Sequence, residues 1–238
     1  KDKNESDSRV LITGDKGTGK KHLAKYIHTF SKRGKSNISF IECQNVSQHD
    51  LENELTKNTT GSIVLTNIHD LTPENQTFLL NFLNKNDNLP RIIATSHNNL
   101  QTLVGSKRFS DALYDRLSVT TYSLPSLIER IEDIEVLMME FTKSVCHNFG
   151  IIKPQISQDV FTKFQQQAWP GNIKQLKIAT DWMLVNYYAT EQNGIISASY
   201  TEFLTSNSHS DDGCSSSAQA SEQHQELLPI KQAREEFE

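Results

Sequence analysis

The stretch Val10-Leu11-Ile12-Thr13-Gly14-Asp15-Lys16-Gly17-Thr18-Gly19-Lys20-Lys21 constrains this chain more than any other. An apolar, β-prone run enters a glycine-rich turn and leaves through His22-Leu23-Ala24-Lys25-Tyr26-Ile27, where apolar residues recur at helical spacing. The spacing predicts a strand, a loop, and a helix from about Thr18 to about Ser31. Gly14, Gly17 and Gly19 let the backbone fold around an anion. The helix start offers unpaired N–H groups and a positive dipole end, and Lys20 adds a charge that reaches β/γ-phosphates. The pattern G-x-x-x-x-G-K-[ST] is met except at its last place, where Lys21 replaces the hydroxyl that touches Mg²⁺. A glycine-rich turn without a ligand is the alternative, and the strand-to-helix context weighs against it.

The pattern downstream alternates strands with helices, which predicts a parallel α/β sheet. Ile38 to Cys43 reads as a second strand, and Ser47 to Leu55 as a serine-capped helix. Gly61 to Asp70 reads as an apolar strand beside the first. Thr72, Pro73 and Glu74 open a helix that turns Phe78, Leu79, Phe82 and Leu83 inward, and Arg91 to Ser96 is a further strand. P-loop enzymes end an apolar strand in an acidic pair that holds Mg²⁺ and polarises the attacking water. Here those places hold Thr66 and Asn67, which are neutral. Asp70 lies past the strand end and reads as an exposed turn carboxylate. From about Leu124 the pattern is helical only: Ser126 to Phe149, a helix near Ser157 and Asp159 carrying Val160, Phe161 and Phe164, and Asn172 to about Tyr188. These helices suggest a small lid.

Composition narrows the setting. The 238 residues allow one large domain or two smaller ones, and 36% hydrophobic with 22% charged residues suits a soluble protein. No apolar run is long enough to span a bilayer, and Lys1 to Arg9 carries no signal-like apolar segment. The 3 cysteines lack metal spacing and read as reduced thiols of a cytoplasm, with Cys43 and Cys146 expected in the core. A net charge of -5 argues against broad nonspecific DNA binding by this segment. No lysine or arginine occurs between Lys177 and Lys231, and residues 191–226 read as a disordered acidic linker. Glu222 to Glu238 then looks helical, with Leu227, Ile230, Ala233 and Phe237 on one stripe.

The motifs Gly14 to Lys20, Arg91 to Thr95, Arg108 to Leu117, Leu124 to Ile134 and Trp169 to Ile173 occur in an order that is similar to one family. Together they resemble the central AAA+ domain of NtrC-class bacterial transcription regulators, which work with the alternative sigma factor. The last residues, Leu228 to Glu238, look like the opening of the Fis-like DNA-binding domain in the NtrX branch. The resemblance implies a P-loop AAA+ core over 9–123, a helical lid over 124–190, linkers over 1–8 and 191–226, and a DNA-binding domain starting at 227–238. It implies ATP or ADP on Gly14, Asp15, Lys16, Gly17, Thr18, Gly19, Lys20 and Lys21, with Lys174 at the place of a phosphate-meeting lid arginine. It further implies self-association through this domain, and a chain cut at both ends, with a receiver before Lys1 and DNA-reading helices after Glu238. A cognate sensor histidine kinase, DNA binding through those later helices, and a cytoplasmic, membrane-free setting follow from the same likeness.

The departures shape the functional expectation. Family members carry a G-A-F-T-G-A loop for the sigma factor, whereas only 17 residues, Gln44 to Thr60, bridge Cys43 and Gly61 here. This domain is therefore expected not to engage the sigma factor. Thr66 and Asn67 replace the acidic pair, His97 replaces a γ-phosphate-sensing asparagine, and Ser110 replaces one of two arginines aimed at a neighbour's nucleotide. Arg116 keeps the other place, and a salt-bridged surface arginine is its plain alternative. No catalytic residue and no metal ligand is expected, Mg²⁺ is without its usual holders, and little or no ATPase activity follows. Three readings stay open: an ATP-binding regulatory and oligomerisation domain, an active AAA+ ATPase remodelling a transcription complex, and a nucleotide-free scaffold.

Overall fold

The computed structural model describes residues 8–85, 89–190, 195–201 and 204. The expected opening linker up to residue 7, the linker from 205 and the start of a DNA-binding domain at 227–238 lie outside the described residues.

Strands β1 (Val10–Thr13), β2 (Ile38–Glu42), β3 (Ser62–Thr66), β4 (Arg91–Ser96) and β5 (Thr120–Ser123) form one sheet in the order β2-β3-β4-β1-β5, with every neighbouring pair parallel. Parallel neighbours require crossovers. These are α1 (Lys20–Thr29) after β1, α2 (Gln48–Lys57) after β2, α3 (Pro73–Lys85) after β3, and the pair α4 (Leu100–Gly105) and α5 (Asp111–Leu117) after β4. Side chains alternate across each strand, so Leu11, Ile63, Leu65 and Ala94 pack against α2, α3 and α5, while Ile12, Val64 and Ile93 face α1. β3 and β4 are buried along their whole length, which is why their centres, Ile63 to Leu65 and Ile92 to Ala94, are apolar without alternation.

Three local features complete this sheet and its exit to the lid. β3 ends at Thr66, which leaves Asp70 past the strand end: Asn67 adopts a left-handed φ of 55° and turns the chain into a 3₁₀ turn over Ile68–Asp70. β5 has no apolar run to announce it: Thr120 to Ser123 form a half-exposed edge strand placed by pairing with β1. The single helix expected over 126–149 is a 3₁₀ turn, Leu127–Arg130, followed by α6 (Asp133–Phe149). The Glu129 carboxylate accepts the Ser126 N–H at 2.8 Å and closes that first turn on itself.

α6, α7 (Gln158–Gln165) and α8 (Asn172–Thr190) build the lid around Leu127, Ile134, Met138, Phe164, Leu176 and Met183. The lid is not purely helical: β6 (Gln155–Ile156) pairs in parallel with β7 (Ile195–Ile196). Residues 195–201, expected as linker, therefore belong to the lid. Ile196 and Thr201 are buried, and the Tyr200 ring lies 5.5 Å from that of Tyr187. Buried Ile196, bonded through its carbonyl to the Ser157 N–H at 3.0 Å, outweighs its polar surroundings. Cys43 and Cys146 are buried free thiols, and burial pushes Cys43 up to about 12. No helix among the described residues is long and apolar enough to cross a membrane.

Candidate phosphate-binding site

The carboxyl ends of β1, β3 and β4 meet at one edge of the sheet, where an open α/β sheet places its ligands. β1 runs straight into the glycine loop. Gly14, Gly17 and Gly19 have φ of 141°, 81° and 98°, which a side chain would strain. The Asp15 carbonyl accepts the Thr18 hydroxyl at 2.9 Å and pulls the loop into a tight turn. Lys20 Nζ donates to the Gly14 and Asp15 carbonyls, both at 2.6 Å, so its ammonium is held against the inside of the loop. Desolvation lowers its pKa and the Asp15 charge offsets part of that shift. α1 begins beside this ammonium with no side-chain cap and no acidic residue in its first turn. Its initial N–H groups and dipole thus point at the loop without a carboxylate of their own.

The end of β3 presents the two neutral residues. Thr66 is buried, and its Oγ1 lies 2.9 Å from both the Ile41 carbonyl and Glu42 Oε2. Asn67 Nδ2 donates to Glu42 Oε1 at 2.6 Å, and Lys21 Nζ reaches Glu42 Oε2 at 3.2 Å. Desolvation would raise the Glu42 pKa, but the bonds from Thr66, Lys21 and Asn67 and the Lys21 charge outweigh it, and the carboxyl is held below its ordinary value. Sequence reasoning missed Glu42. Only the parallel register, which sets Glu42 opposite Thr66, brings it here.

Two histidines complete this edge. The rings of His69 and His97 meet edge-to-face at 4.1 Å. His69 Nδ1 is 3.0 Å from Ser96 Oγ, and His97 Nδ1 is 3.2 Å from Asn67 Oδ1. Desolvation lowers both pKa values, and the charges of Lys16 and Lys20 lower them further, against Asp70. His97 lowers that of His69 as well. The His69 side chain is only 2% exposed, which is why burial dominates there. The unfolded chain keeps an imidazole pKa of about 6.5, so below that pH it binds more protons than the folded one. Stability is fully present above about pH 6.5 and is lost as pH falls through the lower folded values. The urea midpoint is expected to stay level near pH 7.5 and to drop by about pH 5.5, and His69→Gln, which cannot take the proton, should flatten that drop.

The lid grips the same loop from the other side. Buried Asn172 accepts the Leu127 N–H at 2.7 Å and donates through Nδ2 to the Lys16 carbonyl at 2.9 Å. The Lys174 N–H donates to the Gly17 carbonyl at 3.3 Å, and Arg130 Nη2 to the Thr18 carbonyl at 3.0 Å. Three consecutive loop carbonyls are therefore bonded to the lid. Trp169 is buried, stacks on Phe164 at 5.5 Å and donates Nε1–H to the Phe164 carbonyl, which fixes the turn that presents Asn172. The Lys174 side chain is exposed in the first turn of α8. Arg116 lies on the surface at the end of α5, where Nε donates to Asn84 Oδ1 at 2.9 Å, and it is not part of this edge. Sequence reasoning did not place Asn172 or Arg130 on the loop, since both bonds cross more than a hundred residues of chain.

The Sigma-54 interaction domain model matches residues 1–127, and the AAA+ ATPase lid domain model matches 128–212. The chain belongs to the sigma-54 interaction domain family. This sigma-54 interaction domain is 32% identical over 204 residues to the HTH-type transcriptional regulatory protein TyrR of Enterobacter agglomerans, covering 73% of this chain and 39% of that one. It is 30% identical over 220 residues to a putative response regulator, NtrX-like, of Rickettsia typhi, covering 80% of this chain and 46% of the other. The chain thus spans less than half the length of these curated relatives. The crystal structure of NtrX from Brucella abortus in complex with ADP superposes with a TM-score of 0.75 at 25% identity, over 99% of this chain and 56% of that one. The same protein in complex with ATP gives 0.71, over 83% and 51%. The fold is that of an α/β P-loop AAA+ domain with a parallel sheet and helical lid.

Proposed function

We propose that this sigma-54 interaction domain binds ATP or ADP on the Gly14 to Lys21 loop and uses it to set conformation and self-association within a transcription regulator, without hydrolysing the nucleotide or engaging a sigma factor. The observation that carries the reading is a loop built for phosphate, with Lys20 directed into it, next to a strand end where Thr66 and Asn67 stand in place of carboxylates. The Brucella NtrX complexes with ATP and ADP support the nucleotide. Neutral residues at those two places supply neither metal-holding charge nor a base, and phosphoryl transfer depends mostly on such charge stabilisation. The short Gln44 to Thr60 connection forms α2, with Leu51 and Leu55 buried, which supports a domain that does not engage a sigma factor. Lys174, at the start of α8, would meet a phosphate as a point charge. Arg116, once released from Asn84, would reach a neighbour's nucleotide in an assembly. In the whole protein, a receiver addressed by a sensor kinase and a DNA-binding domain would flank this domain in the cytoplasm.

Titration calorimetry with ATP and with ADP, beside a sensitive phosphate-release assay, tests the reading. Binding without multi-turnover release is expected. Sustained release above that of Lys20→Ala would establish a working motor instead, and no binding at about millimolar nucleotide would leave a scaffold.

A further inference from the structure

The place beside Lys20 where a metal ion accompanies phosphates in other P-loop proteins does not suit one here. The residue that follows Lys20 is Lys21, itself a cation. Glu42 already has a donor on each oxygen: Asn67 Nδ2 on Oε1, and Thr66 Oγ1 with Lys21 Nζ on Oε2. Among the described residues no group of three or more His, Cys, Asp or Glu converges to hold a metal. A dication entering here would meet a like charge and find the Glu42 carboxylate committed.

We propose that the Lys21 ammonium, steered by Glu42, takes the place of Mg²⁺ and makes nucleotide binding by this domain metal-independent. This rests on the nucleotide-binding reading above. Lys21 follows Lys20 at the start of α1, yet its long side chain carries the ammonium across to the ends of β2 and β3. It thereby ends one carboxylate away from Thr66 and Asn67, the residues at the metal-holding places. The Lys21 and Glu42 side chains are 61% and 44% exposed. An ion pair so exposed adds little to stability, so losing it leaves the fold intact. The exposure also leaves the other ammonium protons open to phosphate oxygens. Lys20 inside the loop and Lys21 outside it would flank the polyphosphate with two positive charges, the role that lysine and metal share elsewhere.

The test is ATP affinity by calorimetry in EDTA and in excess Mg²⁺, for the unaltered domain, Lys21→Ser, Lys21→Arg and the distant control Lys57→Ser. The unaltered domain is expected to bind equally, within about threefold, in both conditions. Lys21→Ser should lose about tenfold or more in EDTA, Lys21→Arg should retain most of the affinity, and Lys57→Ser should change nothing. Circular dichroism confirms that each variant is folded. Binding that needs Mg²⁺, or a Lys21→Ser variant with unchanged affinity in EDTA, overturns the inference while sparing nucleotide binding. No binding in either condition overturns both.

Discussion

Gly17→Val is expected to lower stability by about 2–5 kcal/mol and to free the lid from the loop. Gly17 holds a φ of 81°, a region that β-branched residues avoid, and a Cβ there would lie 2.1 Å from the Gly171 carbonyl oxygen. That neighbour is backbone in the turn fixed by Trp169, so it cannot rotate aside as a side chain could. Relief requires moving the turn, which breaks the bonds from Asn172 to Lys16 and from the Lys174 N–H to Gly17. Each leaves a polar group unsatisfied if it stays buried, at about 1–3 kcal/mol apiece. Urea unfolding reads the loss, and Gly105→Ala serves as the control, since a Cβ there meets nothing within 4 Å. Equal midpoints for the two variants would show that the lid does not seat on the loop at Gly17.

Lys20→Ala is expected to weaken ATP binding by about 10- to 100-fold with no loss of stability. The ammonium already sits at the loop interior on the Gly14 and Asp15 carbonyls, so it swaps these partners for phosphate oxygens with little reorganisation. A charge-assisted bond of this kind contributes about 1.5–3 kcal/mol, and it disappears entirely with alanine. Burial disfavours the charged amine in the free protein, as its lowered pKa shows, so removing it relieves a desolvation cost that offsets the two carbonyl bonds. Calorimetry and urea unfolding on the same variant separate the two effects. Retained affinity would place the phosphates elsewhere.

The strand, glycine-rich loop and helix were legible because their parts are adjacent in the chain. Glycines at three spaced positions, a β-prone run before them and a helical pattern after them each report a local backbone preference. β3 and β4 were legible for a related reason: strands buried on both faces have apolar centres without alternation. β5 was not, because an edge strand keeps one side in water and Thr120 to Ser123 carry no apolar surplus. The turn that follows β3 was not legible, because Asn67 turns left-handed, which its neighbours in sequence do not signal.

The site divides along the same line. Local sequence decided the loop, the neutral pair at Thr66 and Asn67, and the lysines at 20 and 21, since chemical identity and short-range geometry need no partner. The fold decided what those residues face. Glu42 reaches Thr66 and Lys21 through the parallel register of β2 on β3, His97 meets Asn67 from beyond the end of β4, and Asn172 and Arg130 close on the loop from the lid. Such pairings between elements far apart in sequence form only when the whole sheet and lid bury their apolar faces together, and no local pattern encodes the distance between two side chains that such burial brings within a hydrogen bond.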